Sequence, residues 1–173
     1  RGLSYDIGLS QFDKHLGYIP KANFSGIINA PGWNSVKVNI NSQSFRSNGG
    51  DKKDLIRSGK ILAFGDSFTF GDQVSDEDTW SACLEDKIKI QVDNAGVFGY
   101  GSAQALKRAK RVIKNNSYNT LIFSIVLDDD FERDRMEYRY GFPRPALIKD
   151  GLNLKWSEVP NPNRIGSKFA PVP

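Results

Sequence analysis

The feature that most limits this chain is an alternation of three short apolar runs with two helix-patterned stretches, each run ending in a polar or glycine-rich segment. Ile61-Leu62-Ala63-Phe64 stops at Gly65-Asp66-Ser67, and Ile90-Gln91-Val92-Asp93 stops at Asn94-Ala95-Gly96-Val97-Phe98-Gly99-Tyr100-Gly101. The third and most apolar run, residues 120–127, stops at Asp128-Asp129-Asp130. Short continuous apolar runs suit strands buried on both faces. Between the first two, Trp80, Cys83, Leu84 and Ile88 recur at helical spacing behind a capping-box-like Ser75 and Asp78, which predicts a helix with Cys83 in the core. A second helix is predicted from Ser102, with Ala103, Leu106, Ala109, Val112 and Ile113 on one face and Lys107, Arg108, Lys110, Arg111 and Lys114 around the other. Strand, helix, strand, helix, strand predicts right-handed crossovers and a parallel sheet.

Composition narrows the class. With 173 residues, 39% hydrophobic and 25% charged, the chain can bury roughly two-thirds of its unfolded surface, so bulk disorder is excluded. No run reaches the roughly 18 apolar residues of a membrane-spanning helix. One cysteine excludes an internal disulfide, and with one histidine it cannot form a Cys/His zinc cage. A net charge of +4 is too small to imply nucleic acid; the basic helix face reads as a solvated surface, with an anionic partner as the rival reading.

Residues 1–59, rich in Gly, Asn, Ser and Pro, are expected to wrap the α/β part as a β/loop segment, with one strand at Val36-Lys37-Val38-Asn39-Ile40. Their aromatic residues Tyr5, Phe12, Tyr18, Phe24, Trp33 and Phe45 read as packing anchors. In the tail a hairpin is expected where Ala146-Leu147-Ile148 and Leu152-Asn153-Leu154 flank Lys149-Asp150-Gly151.

Ligands of an open parallel sheet bind outside the carboxyl ends of its strands, where these three polar segments should meet. A serine at a strand-to-helix turn lies near backbone N–H groups that stabilise negative charge, which suits a nucleophile; Ser67 as a plain helix cap is the equal alternative. The segment lacks the Gly-Lys-Ser/Thr ending of a phosphate loop. The order of Gly96, Gly99 and Gly101 reverses the dinucleotide spacing, and Thr69 stands where a serine-hydrolase elbow needs glycine.

The stretch ILAFGDSFTFG, residues 61–71, resembles the first signature block of the SGNH/GDSL hydrolases, and residues 94–101 resemble their second. More loosely, Val38-Asn39-Ile40-Asn41-Ser42 with Phe45-Arg46, and residues 149–160, resemble flanking segments of a bacterial subgroup. The resemblance implies a three-layer α/β/α fold of the SGNH-hydrolase or flavodoxin-like kind over residues 60–173, no cofactor, and an extracytoplasmic location. It makes Ser67 the nucleophile and Gly99 a backbone N–H donor to the oxyanion hole.

Two departures stand out. The third block normally presents an asparagine that completes the oxyanion hole, and the best-aligned residue here is Asp128, with Asp129 as the other register. An ionised carboxylate has no N–H to donate, so Asp128 either donates as the buried acid or is structural. A hard-cation site at Asp128, Asp129 and Asp130 is disfavoured because adjacent side chains in extended chain point apart. The family's Asp-x-x-His is also missing, and the single histidine, His15, lies far upstream and reads as a surface residue. The α/β part is therefore expected to be incomplete at its C-terminal end and this chain to hydrolyse very slowly. The expected activity is hydrolysis or transfer of a short acyl group on a carbohydrate or lipid through acyl-Ser67. The rival is an inactive SGNH-like carbohydrate-binding module.

Overall fold

The computed structural model of the chain describes residues 8–29, 32, 34–50 and 55–163. It opens with two antiparallel hairpins, β1 (Ser10–Asp13) with β2 (Gly17–Pro20), and β3 (Ser25–Ile28) with β4 (Val36–Asn39). Then come β5 (Ile56–Phe64), the short α1 (Ser67–Phe70), a 3-10 turn at Asp76–Asp78, α2 (Trp80–Ile88), β6 (Ile90–Asn94), α3 (Ser102–Ile113), β7 (Thr120–Phe123) and α4 (Leu127–Arg133). Two further hairpins follow, β8 (Tyr138–Arg139) with β9 (Phe142–Pro143), and β10 (Leu147–Asp150) with β11 (Asn153–Trp156).

The centre is a mixed α/β arrangement in which β6, β5 and β7 form a three-stranded parallel sheet in that order. Side chains alternate across β5. Leu62 and Phe64 join a core cluster with Ala105 and Ala109 of α3, while Ile61 and Ala63 join Val92 and the α2 residues Trp80, Leu84 and Ile88. Both faces of β5 are covered over residues 61–64, which is why that stretch is continuously apolar. The first cluster also holds Leu9, Leu16, Tyr18, Ile28, Val36, Val38, Ile40 and Phe45, so the opening hairpins share one core with the sheet. Of the expected anchors, Tyr18 and Phe45 are buried, Phe24 is partly buried and Phe12 is exposed; Tyr5 and Trp33 lie outside the described residues.

Several local expectations are corrected. The cap of α2 is Thr79, whose side chain accepts from Ala82 N–H, because the Ser75 hydroxyl is taken by the Lys37 N–H of β4 at 3.1 Å. Cys83 is exposed. The buried face of α2 is Ser81, Ala82 and Glu85, turned inward because Glu85 accepts from Val92 N–H at 2.9 Å and Ser81 bonds Asn48 at 3.0 Å. On α3 the buried residues are Ser102, Gln104, Ala105, Arg108 and Ala109, and Leu106 and Ile113 are exposed. The Arg108 guanidinium satisfies the Ala95 and Ser44 carbonyls at 3.1 and 2.7 Å, so a charge belongs inside and the helix is rotated from its apolar stripe.

β7 stops at Phe123, four residues short of the expected end, because β5 ends at Phe64 and offers no further ladder partner beyond the Ser124 N–H to Phe64 carbonyl bond. The tail hairpin forms one residue later than expected, pairing Asp150 with Asn153 across Gly151 at φ +62°.

Candidate active site

The turn after β5 is set by Asp66. Its side chain caps α1 by accepting from Phe68 N–H at 3.0 Å, and its other carboxylate oxygen accepts from Arg133 Nη1 at 2.9 Å. Ser67 follows as the first residue of α1, half-buried. Among the described residues neither its hydroxyl nor its backbone N–H has a hydrogen-bond partner. Ser67 opens onto a cleft of about 420 Å³ with Phe68, Gly71, Asp72, Gln73, Val74, Asp78, Thr79 and Trp80. Arg46, fully buried, braces the far wall by donating to the Gly71 and Val74 carbonyls at 3.1 and 2.8 Å, and its Nε pairs with buried Asp76 at 2.7 Å.

The loop after β6 packs directly on this turn. Val97 N–H donates to the Gly65 carbonyl at 3.1 Å, and a Cβ on Gly96 would lie 2.4 Å from Phe70 N, so only glycine allows the approach. Gly99 is buried with φ +73°, the left-handed region. Its carbonyl accepts from Arg144 Nη1 at 2.8 Å, and among the described residues its N–H has no acceptor. The Tyr18 hydroxyl donates to the Phe98 carbonyl at 2.8 Å. Because that carbonyl and the Gly99 N–H belong to one planar peptide, this bond fixes the direction of the N–H. Burial pushes the Tyr18 hydroxyl up to about 12, so it remains a donor.

One atom ties the two loops together. Arg133 Nη1 donates to Asp66, next to Ser67, at 2.9 Å, and to the carbonyl of Tyr100, next to Gly99, at 3.3 Å. The same nitrogen meets Asp130 Oδ1 at 2.7 Å. Asp130 also accepts from Val126 N–H, and burial, ahead of the neighbouring Asp66 and Asp129 charges, pushes its carboxyl up.

The third expected residue sits differently. Asp128 is exposed in the first turn of α4, has no hydrogen bond or ion pair among the described residues, and, like Gly99, is not among the residues lining the Ser67 cleft. Asp129 and Asp130 are turned onto Arg133. Among the described residues no cluster of three or more His, Cys, Asp or Glu is placed to hold a metal.

His15 is exposed in the β1–β2 turn, in a different groove, with Lys14, Lys107, Ser157, Glu158 and Val159. The basic face of α3 is largely engaged: Arg108 is buried, Arg111 pairs with Asp13 at 2.7 Å, and Lys107 lies 4.6 Å over the Trp156 ring. No helix among the described residues is long and apolar enough to cross a membrane.

Sequence reasoning missed the arginines that build this region, Arg133, Arg139 and Arg144. For Arg133 a signal existed in its spacing from Asp129 and Asp130, four and three residues before it, which puts opposite charges on one helix face. For Arg139 and Arg144, in short irregular hairpins, there was none. No family model, no curated protein and no solved structure matches this chain.

Proposed function

We propose that this chain is a serine acyl-hydrolase of the SGNH/GDSL kind, with a three-layer α/β/α arrangement, acting on short acyl esters of carbohydrates through acyl-Ser67. The observation that supports the reading is the shared Arg133 Nη1, which bonds the neighbours of Ser67 and Gly99, whose hydroxyl and N–H have no partner among the described residues. In the reaction the Ser67 oxygen adds to the ester carbonyl carbon as its hydroxyl proton passes to solvent water, which later returns a proton to the leaving alcohol, and the carbonyl π pair moves onto oxygen. The Ser67 and Gly99 N–H groups receive that charge as the tetrahedral intermediate forms. Collapse expels the alcohol, which takes a proton. Water, or a sugar hydroxyl in a transfer, then releases the acyl group.

The cleft supports a sugar ester. Phe68 and Trp80 line the cleft with aromatic rings suited to sugar C–H groups, and Gln73 and Asp78 add acceptors for hydroxyls. Among the described residues no histidine lies at Ser67, and serine without its base loses on the order of 10⁴-fold or more in rate. Turnover by this chain is therefore expected to be slow. The missing base also supports a second reading, in which the same rim binds carbohydrate without cleaving it.

Prolonged labelling with a fluorophosphonate at alkaline pH tests the first reading. Labelling of the wild-type chain that is lost in Ser67→Ala is the expected result. Equal labelling of both overturns the nucleophile, and no labelling of either leaves the carbohydrate-binding reading.

A further inference from the structure

Next to Gly99 lies a charged donor that the reading above does not use. Arg139 is carried on β8, whose hairpin to β9 turns through Tyr140 and Gly141, both at positive φ (+52° and +81°), a geometry that joins strands tightly. Phe142 anchors the hairpin by stacking on Tyr18 at 4.6 Å between ring centroids, so the backbone under Arg139 is fixed to the core. The side chain is only 16% exposed. Its Nη2 is spoken for, donating to the Tyr140 hydroxyl at 3.1 Å and facing Asp129 at 3.5 Å, and its guanidinium covers the Tyr140 ring at 4.7 Å.

Its Nε is buried and, among the described residues, has no acceptor. That nitrogen lies 3.9 Å from the point a Cβ on Gly99 would occupy, and the Arg139 Cδ lies 3.6 Å from it. Among the described residues the Gly99 N–H and Arg139 Nε, the latter 3.9 Å from the Gly99 Cβ position, are thus both without an acceptor, one of them on a permanent charge. A buried donor on a charged group is costly to leave unmatched. An oxygen anion satisfies both at once, and an oxygen anion is what attack by Ser67 creates.

Resting on the Ser67 reading, we propose that Arg139 is the third donor to the acyl oxygen, filling with Nε the role for which Asp128 has no N–H. The oxygen held is that of the tetrahedral intermediate during the reaction and of the product carboxylate after it. Arg144 is the positioning residue, holding the Gly99 carbonyl at 2.8 Å. The Asp129 carboxylate engages the other end of the Arg139 guanidinium, aligning the fork without occupying Nε.

Acetate, the simplest product carboxylate, is the probe, because its binding does not depend on a catalytic base. It is titrated into ¹⁵N-labelled protein against chloride at equal ionic strength, following the Gly99 amide. A saturable shift of that amide is expected in the wild type and in Ser67→Ala. Arg139→Gln, with the rest of its amide spectrum intact, should bind acetate about tenfold more weakly or worse, as expected for loss of one charge-assisted hydrogen bond. Arg139→Lys keeps the charge but loses the planar fork, and should also fall below the wild type.

If Arg139→Gln loses its fold, Arg139→Lys serves alone, and wild-type affinity there overturns the proposal. So does unchanged affinity in Arg139→Gln, or a wild-type Gly99 amide that acetate moves no more than chloride does. Acetate binding that depends on Arg139, combined with fluorophosphonate labelling that survives Ser67→Ala, would overturn the nucleophile and leave the anion site standing.

Discussion

The two flanks of the parallel sheet are built on opposite principles. On the β6 flank, polar side chains are inside and satisfied: Arg46, Asn94 and Arg108 are buried, and Asn94 donates to the Thr69 carbonyl at 2.8 Å and to Ser81 at 2.9 Å. On the β7 flank, apolar side chains are outside: Leu121 is 51% and Leu127 71% exposed, with Phe123, Ile125 and Phe131 also in the open. The candidate site lies where the flanks meet, and its rigid half, the Ser67 and Gly99 turns, belongs to the buried network. The lesson is that hydrogen bonds, more than apolar burial, position these turns.

The largest expected effect tests that lesson. Arg46→Met leaves the buried Asp76 carboxylate without its cation, holding, among the described residues, only the Asn39 hydrogen bonds, and removes donors from the Gly71 and Val74 carbonyls. Urea denaturation should show a loss of about 3–5 kcal/mol, as for breaking a buried ion pair. A loss below about 1 kcal/mol would remove the contrast between the flanks.

Next is Gly99→Ala, where φ +73° and the Tyr18 hydroxyl, 2.9 Å from the new Cβ, predict at least about 1–2 kcal/mol of destabilisation. Thermal melting would read it; no change would mean that the loop relaxes freely. Thr79→Ala, removing the α2 cap on the same flank, should cost about 1 kcal/mol in urea titration.

Asp13→Asn probes a rim ion pair outside the network. Burial alone would raise the Asp13 carboxyl, but the Arg111 hydrogen bond and charge, with the His15 and Leu16 N–H groups, outweigh it and hold it below its ordinary value. A lowered folded value means that its stabilisation is in place above about pH 4 and is lost as pH falls through the folded value. The variant should therefore be less stable by under about 1 kcal/mol at neutral pH, with the difference closing as pH falls below the folded value. A constant difference across that range would assign the effect to packing. Smallest of all, Leu121→Thr on the exposed flank should change stability by no more than about 0.5 kcal/mol. A loss above about 2 kcal/mol would show that this flank is as tightly built as the other.

Much of the centre was legible in the chain. The order of strands and helices from residue 61 to residue 123 follows from apolar runs and helical spacing, because both reflect backbone geometry that repeats locally. Helix phase was legible only in part: Trp80, Leu84 and Ile88 of α2 and Ala109 and Val112 of α3 pack on the cores as expected. On α2 and α3 the inward positions include Glu85, Gln104 and Arg108, and no hydropathy pattern places a charge in a core when its acceptors come from distant segments. Ser67 was singled out by its turn, and Gly99 and Asp128 only by the family resemblance. Arg139 was invisible because its meaning lies in its distance to Gly99, forty residues earlier in the chain.

By itself the amino-acid order determined the parallel α/β core and the glycine-bearing turns at its carboxyl edge, since strand burial and positive φ are properties of short stretches. Only the tertiary structure decided which charges face each other there. Arg133 between Asp66 and Tyr100, Arg46 on Asp76, and Arg139 beside Gly99 are meetings of side chains far apart in sequence. They follow from how the layers close, because a buried charge is settled by the acceptors the whole fold brings within about 3 Å of it.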